Sequence, residues 1–124
     1  YDPKAHFSLG RIKHDLGDSH GAIDSLNKAT RLDPNFGDAY YRLGLAYDSQ
    51  NQGYDSISSL MIAEIVYHKA RKADFLEKTR TELKSLFRKY QVQRSDFRDL
   101  QLPEALKGYE AHKRPNQIPT SKEK

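Results

Sequence analysis

Residue types that can do chemistry are scattered along this sequence, and most of them lack the spacing a reaction needs. Ser19-His20 lies among aspartates, yet no nucleophile-elbow sequence surrounds the serine and nothing marks an oxyanion hole, so a hydrolase triad is not indicated. The five histidines, His6, His14, His20, His68 and His112, show no paired metal-ligand spacing. Asp33-Pro34-Asn35-Phe36-Gly37-Asp38 alternates oxygen-bearing side chains as a calcium loop does, but the rest of the loop and its bidentate glutamate are missing. Glycines are isolated instead of clustered into a phosphate loop. The chain has no cysteine, which removes thiolate nucleophiles, disulfides and zinc-thiolate sites. These observations predict a protein that is not an enzyme and holds no metal or cofactor.

Charge is the remaining chemical signal. The net charge of +4 is unevenly spread: residues 1–68 carry 6 Lys/Arg against 9 Asp/Glu, whereas residues 69–94 carry 9 against 3. Within the basic part, Arg80, Lys84 and Arg88 recur every four residues and so share one helix face, with Arg71, Lys72, Lys78 and Lys89 nearby. Such a stripe can meet the phosphates of nucleic acid or an anionic membrane. The plainer reading is a solvated helix face supported by spacing pairs such as Asp74 with Lys78. Phosphate binding is therefore the lesser alternative, and the aromatic residues beside it, Phe75, Phe87 and Tyr90, read as core.

The elements that must position these groups are written in an internal repeat. A shift of 34 residues superposes Ala5 on Ala39, Leu9 on Leu43, Gly10 on Gly44, Ile23 on Ile57, Ser25 on Ser59, Leu26 on Leu60 and Ala29 on Ala63. Ala22, Leu26 and Ala29, like Ser56, Leu60 and Ala63, recur at helical spacing on one face. Each copy also carries a Leu-Gly pair, and glycine inside a helix costs about 1 kcal/mol relative to alanine, so close helix contact is the expected compensation. Gly17-Asp18-Ser19 and Asn51-Gln52-Gly53 supply turns within the copies, and Asp33-Pro34-Asn35 then Gly37-Asp38 separates them. The pattern predicts helices near 3–16, 19–32, 37–50 and 54–68.

From about Pro3 to His68 the sequence resembles the tetratricopeptide-repeat (TPR) family, whose period is 34 residues. The second copy holds Tyr40, Leu43, Gly44 and Tyr47 at the family spacing, while the first has His6, Leu9, Gly10 and Lys13. In the second helix, Ala22, Leu26, Ala29 and Pro34 of the first copy correspond to Ser56, Leu60, Ala63 and His68. The resemblance implies an all-α helix-turn-helix solenoid of two repeats, at 1–36 and 37–70.

It also implies a function: first helices of successive repeats line a concave groove that receives a peptide or protein segment. That face would carry Lys4, Phe7, Arg11, His14 and Asp15, then Asp38, Tyr41, Leu45, Asp48 and Ser49, with Arg42 beside it. The expected partner-binding residues are Phe7, Arg11, His14, Tyr41, Arg42, Leu45 and Asp48. Some family members grip acidic chaperone tails with a Lys/Asn/Asn/Lys/Arg clamp; here the corresponding places hold Phe7, Arg11, Arg42, Lys72 and Leu76, so that clamp is not expected.

Residues 71–90 contain no Gly or Pro, and Leu76, Thr79, Leu83, Leu86, Phe87 and Tyr90 form an apolar stripe with Phe75 at its edge. A third repeat would need Leu-Gly at Glu77-Lys78, so 71–92 reads as a long C-terminal capping helix. A short helical or irregular extension is expected at 93–112, and a disordered tail or linker at 113–124. Because two repeats fall below the three or so usual for a stable solenoid, self-association into a homo-oligomer is a second interaction class. No run reaches the roughly 18 apolar residues of a membrane span. The chain opens on Tyr1, as a cut domain or processed product does, so localisation is not read from it.

Overall fold

The computed structural model describes the backbone of residues 1–112 and the side chains of residues 1–108. Its elements are α1 (Pro3–Asp15), α2 (Ser19–Leu32), α3 (Gly37–Ser49), α4 (Gly53–Lys69), α5 (Ala73–Tyr90), a 3₁₀ turn (Arg94–Phe97) and α6 (Glu104–His112). There is no strand among the described residues. The starts of α1 and α3, and those of α2 and α4, are each separated by the 34 residues of the sequence offset. The tail or linker expected at 113–124 lies outside the described residues.

Local chemistry sets the boundaries. Asp2 caps α1 by accepting the Lys4 amide at 3.0 Å, with Pro3 at the first helical position, and Asp18 caps α2 by accepting the Gly21 amide at 2.9 Å. Four helices end in the same left-handed turn, at Gly17 (φ 89°), Asn51 (φ 58°), Arg71 (φ 59°) and Gln91 (φ 56°). Each turn returns two amides to the last helical carbonyls; at Arg71 these are Arg71 N–H to His68 O at 3.1 Å and Lys72 N–H to Tyr67 O at 3.0 Å. Glycine and asparagine accept this conformation readily. Arginine and glutamine do so against a cost of roughly 1 kcal/mol each.

The paired glycines are where the two helices of each hairpin approach most closely. A Cβ on Gly10 would lie 2.7 Å from Leu26 Cγ, and one on Gly44 would lie 2.6 Å from Leu60 Cγ. The two contacts are copies at the 34-residue offset. Around them Ala22, Leu26, Ala29, Ala39, Leu43, Ala46, Ile57, Leu60 and Ala63 are buried, so the small residues of the repeat are packing residues. Ser56, in place of Ala22, satisfies its buried hydroxyl by donating to Gly44 O at 2.7 Å.

Helix α5 packs on α4 with Thr79, Leu83 and Leu86 buried; the Thr79 hydroxyl donates to Phe75 O at 2.7 Å. The extension after it supplies core. Phe97 (3% exposed) inserts beside Ile57, Leu60, Met61, Leu83 and Leu86, while Leu102 and Leu106 join the cluster that contains Ala63 and Val66. Phe97 also stacks on Tyr54 at 5.0 Å and meets Phe87 at 6.3 Å. Arg94 anchors the segment by a paired contact with Glu64, Nη1 to Oε1 at 2.9 Å and Nη2 to Oε2 at 3.3 Å. Phe75 departs from the expected core position: it is 47% exposed.

Candidate functional site

Three helices, α1, α3 and α5, present one face to a shared cleft of about 440 Å³. It is lined by Phe7 and Arg11 from α1, by Asp38, Tyr41, Arg42 and Leu45 from α3, by Tyr67 at the end of α4, and by Phe75 and Lys78 from α5. The fold brings together five of the residues expected there, Phe7, Arg11, Tyr41, Arg42 and Leu45. His14 and Asp48 are not in the lining. His14 is half-buried, and its Nδ1 is buried without a hydrogen-bond partner among the described residues.

Aromatic rings and cations alternate around the cleft. Arg11 stands 6.0 Å from the Phe7 ring centroid, Lys78 5.3 Å from that of Tyr41, and Lys72 5.8 Å from that of Phe75. Phe7 leans on Phe36 at 4.9 Å, and Phe75 stacks on Tyr67 at 5.4 Å. Arg42 is loosely held by exposed Asp15 at 3.3 Å, a pair too wet to fix it strongly. Asp38 accepts the Tyr67 hydroxyl. Burial first, then the hydrogen bond to Asp38 and its charge, push the Tyr67 hydroxyl well above the ordinary phenol range, so it stays a neutral donor. Tyr40, buried on α3, is pushed up to about 12 by burial and by Asp33, and donates to Pro34 O at 3.1 Å.

Asp48, expected at the partner-binding face, instead gives its carboxylate to the fold. Oδ1 accepts Lys89 Nζ at 2.8 Å and the Tyr90 hydroxyl at 2.6 Å, tying α3 to the end of α5. Burial alone would raise its pKa, but the two hydrogen bonds and the Lys89 charge outweigh that and lower it below the ordinary 3.8. A lowered carboxyl contributes stability that is present above the unfolded pKa and is lost as pH falls through the folded one. Asp48→Asn is therefore expected to destabilise by about 1 kcal/mol at pH 7. In urea melts the gap to the parent should close as pH falls through the lowered pKa, below the ordinary 3.8; a gap of equal size at neutral and strongly acid pH would show that the charge is not responsible.

In the basic stripe on α5, one of the three cations is paired across helices. Arg80 Nε donates to Glu64 Oε2 at 3.0 Å, on a carboxylate only 13% exposed that Arg94 also grips. That cation links α5 to α4. Lys84 and Arg88 remain exposed. Lys89 is engaged by Asp48.

Sequence reasoning missed Tyr67, Phe75 and Lys78. For Lys78 the cause is a change of register. Helix α4 runs to Lys69, three residues past the counterpart of Leu32, and a three-residue connection replaces the four-residue one, so α5 starts 36 residues after α3 instead of 34. Arg42 therefore corresponds to Lys78, not Leu76.

Stacked helix hairpins around an open cleft define the molecule as an all-helical repeat protein. A family model described as TPR repeat matches residues 10–51, so this part of the chain is similar to tetratricopeptide repeats. No curated protein matches it. TPR repeats generally mediate protein–protein interactions and are typically non-catalytic. Among the described residues no group of three or more His, Asp or Glu is placed to hold a metal ion, and no helix is long and apolar enough to cross a membrane.

Proposed function

We propose that the chain is an interaction module whose cleft receives a protein segment carrying a carboxylate beside a bulky apolar side chain. The observation that supports this reading is the lining itself: Arg11, Arg42 and Lys78 stand among Phe7, Leu45 and Phe75, and no described residue beyond Lys78 contributes to it. The extension at 93–106 packs its apolar residues elsewhere, so the groove is not filled by that part of the chain. Planar guanidinium groups suit carboxylates, and apolar contact between the cations gives affinity that charge alone would not.

The test uses segments recovered from a displayed peptide library, titrated against the intact chain and an Arg11→Glu/Lys78→Glu variant. Arg11 and Lys78 are exposed, so circular dichroism of the variant should match the parent. Binding is expected to weaken about 30-fold or more, whereas Lys84→Ala/Arg88→Ala leaves it within about twofold. The reverse pattern would move the binding surface to the Lys84 and Arg88 face of α5 and discard the cleft.

A further inference from the structure

The cleft is not uniformly basic along its length. On α3, Asp38 lies in the first turn, Arg42 one turn further and Leu45 three residues beyond that, so the lining runs from an acid to a cation to an apolar side chain. Lys78 corresponds to Arg42 in the α5 register, and Arg11 is the 34-residue counterpart of Leu45, so all three cations lie on the side away from the α3 N-terminus. Asp38 is the one carboxylate in the lining, and no cation among the described residues forms an ion pair with it.

A phenol holds Asp38 instead. Tyr67 is buried, and its hydroxyl donates to Asp38 Oδ1. Two departures from the repeat make that contact. Helix α4 continues past Val66, the counterpart of Leu32 where α2 ends, and so places a helical Tyr67 where the first copy has its C-cap Asp33. Gly37, the counterpart of Pro3, leaves room for the ring, since a Cβ there would lie 2.8 Å from Tyr67 Cε1. The same ring stacks on Phe75 at 5.4 Å. An exposed carboxylate free to turn would carry no meaning. This one is fixed by a buried donor beside an aromatic pair, and its Oδ2 accepts no hydrogen bond from the described residues.

We propose that Asp38, positioned by Tyr67, selects extended segments that carry a lysine or arginine two residues from their acidic residue; this rests on the reading of the cleft as a segment-binding surface. The spacing follows from geometry. Asp38 and Arg42 are four residues apart on one helix, about 6 Å along its axis. An extended segment advances about 6.6 Å over two residues and keeps both side chains on the same side. A separation of one or three residues would turn the basic side chain to the opposite face, and four would carry it about 13 Å away. Arg11, Arg42 and Lys78 are long side chains, so the short, fixed acid sets the register and the cations follow. Lys72 already stands 5.8 Å from the Phe75 ring, so the carboxylate and not the ring is the partner for an incoming cation. The segment that complements this cleft is therefore dipolar, with its base toward the N-terminal end of α3 and its acid one helical turn below.

The probe is a displayed random peptide library, selected in parallel on the intact chain, Asp38→Asn, Tyr67→Phe and Arg11→Glu/Lys78→Glu. On the intact chain, recovered segments are expected to place Lys or Arg two residues from Asp or Glu about fivefold more often than the unselected library, with no gain at separations of one or three. Asp38→Asn keeps an acceptor for the Tyr67 hydroxyl and should return that frequency to the library level. Tyr67→Phe keeps the ring but releases the carboxylate, so the preference for a base should survive and spread over neighbouring separations. A tyrosine with only a structural role would lower recovery without changing the spacing profile, which overturns its positioning role. Titration completes the cycle: replacing the basic residue of the most enriched segment by norleucine should weaken binding to the intact chain about tenfold, and to Asp38→Asn by less than about twofold. If the two-residue enrichment persists on Asp38→Asn, or is missing from segments still lost on Arg11→Glu/Lys78→Glu, the inference is overturned and the cleft reading stands. Recovery undiminished by Arg11→Glu/Lys78→Glu removes the cleft reading and this inference with it.

Discussion

Phe97→Ala is expected to lower the unfolding free energy by about 3 kcal/mol, the range found when a buried aromatic is truncated and the cavity only partly collapses. The ring lies at 3% exposure between α4 and α5, in contact with the cluster of Ile57, Leu60, Met61, Leu83 and Leu86. It also stacks against Tyr54. Removing it leaves a hole at the junction where the last hairpin is covered, so the loss is shared by α4 and α5 and not confined to the extension. Urea denaturation should show a single transition at a lower midpoint, with faster exchange of α4 and α5 amides. If the extension undocked by itself, exchange would rise only at residues 93–106 and the midpoint would hold, and the segment would be an attachment and not a cap. Within the extension, Leu106, at 0% exposure, reports which of these happens.

How much of this is legible in the sequence follows from where the 34-residue ruler applies. It places α1 to α4 within a residue or so, because the turn residues, the Leu-Gly pairs and the Ala/Leu stripes recur together. It also identifies Phe7, Arg11, Tyr41, Arg42 and Leu45 as neighbours, since they are corresponding or adjacent positions on two first helices. The ruler fails at α5. The longer α4 shifts the register by two residues, which puts Lys78 in the place assigned to Leu76. No local signal in 71–90 announces that shift. Charges are harder to place than apolar residues for a physical reason: an apolar stripe must face the core, whereas Arg80 and Asp48 satisfy helical spacing equally well in solvent or in a cross-helix pair. Only the fold shows Arg80 on Glu64 and Asp48 on Lys89 and Tyr90. Phe97, Leu102 and Leu106 lie in a segment without period, so their burial depends on a tertiary surface that repeat spacing does not describe.

Gly44→Ala tests the central contact of the repeat, because intrinsic preference and packing predict opposite signs. In an exposed helix the substitution would stabilise by about 1 kcal/mol. Here the new methyl carbon would stand 2.6 Å from Leu60 Cγ, 2.9 Å from Leu60 Cδ2 and 3.2 Å from Ser56 O. Leu60 is fully buried and cannot swing into solvent. The hairpin must open or Leu60 must leave its rotamer, and overpacking of this kind outweighs the helical gain, giving a net loss of about 2 kcal/mol. Gly108 is the internal control: it lies in α6, and among the described residues nothing outside its own helix backbone comes within 4 Å of the place a methyl would take, so Gly108→Ala should be neutral or slightly stabilising. Leu60→Ala alone should cost about 3 kcal/mol through its cavity. In the double variant the Gly44 methyl occupies part of that space, so the combined loss should be smaller than the sum by about 1 kcal/mol or more. Strict additivity in urea melts, or stabilisation by Gly44→Ala alone, would mean that the two helices do not approach as closely as this packing requires.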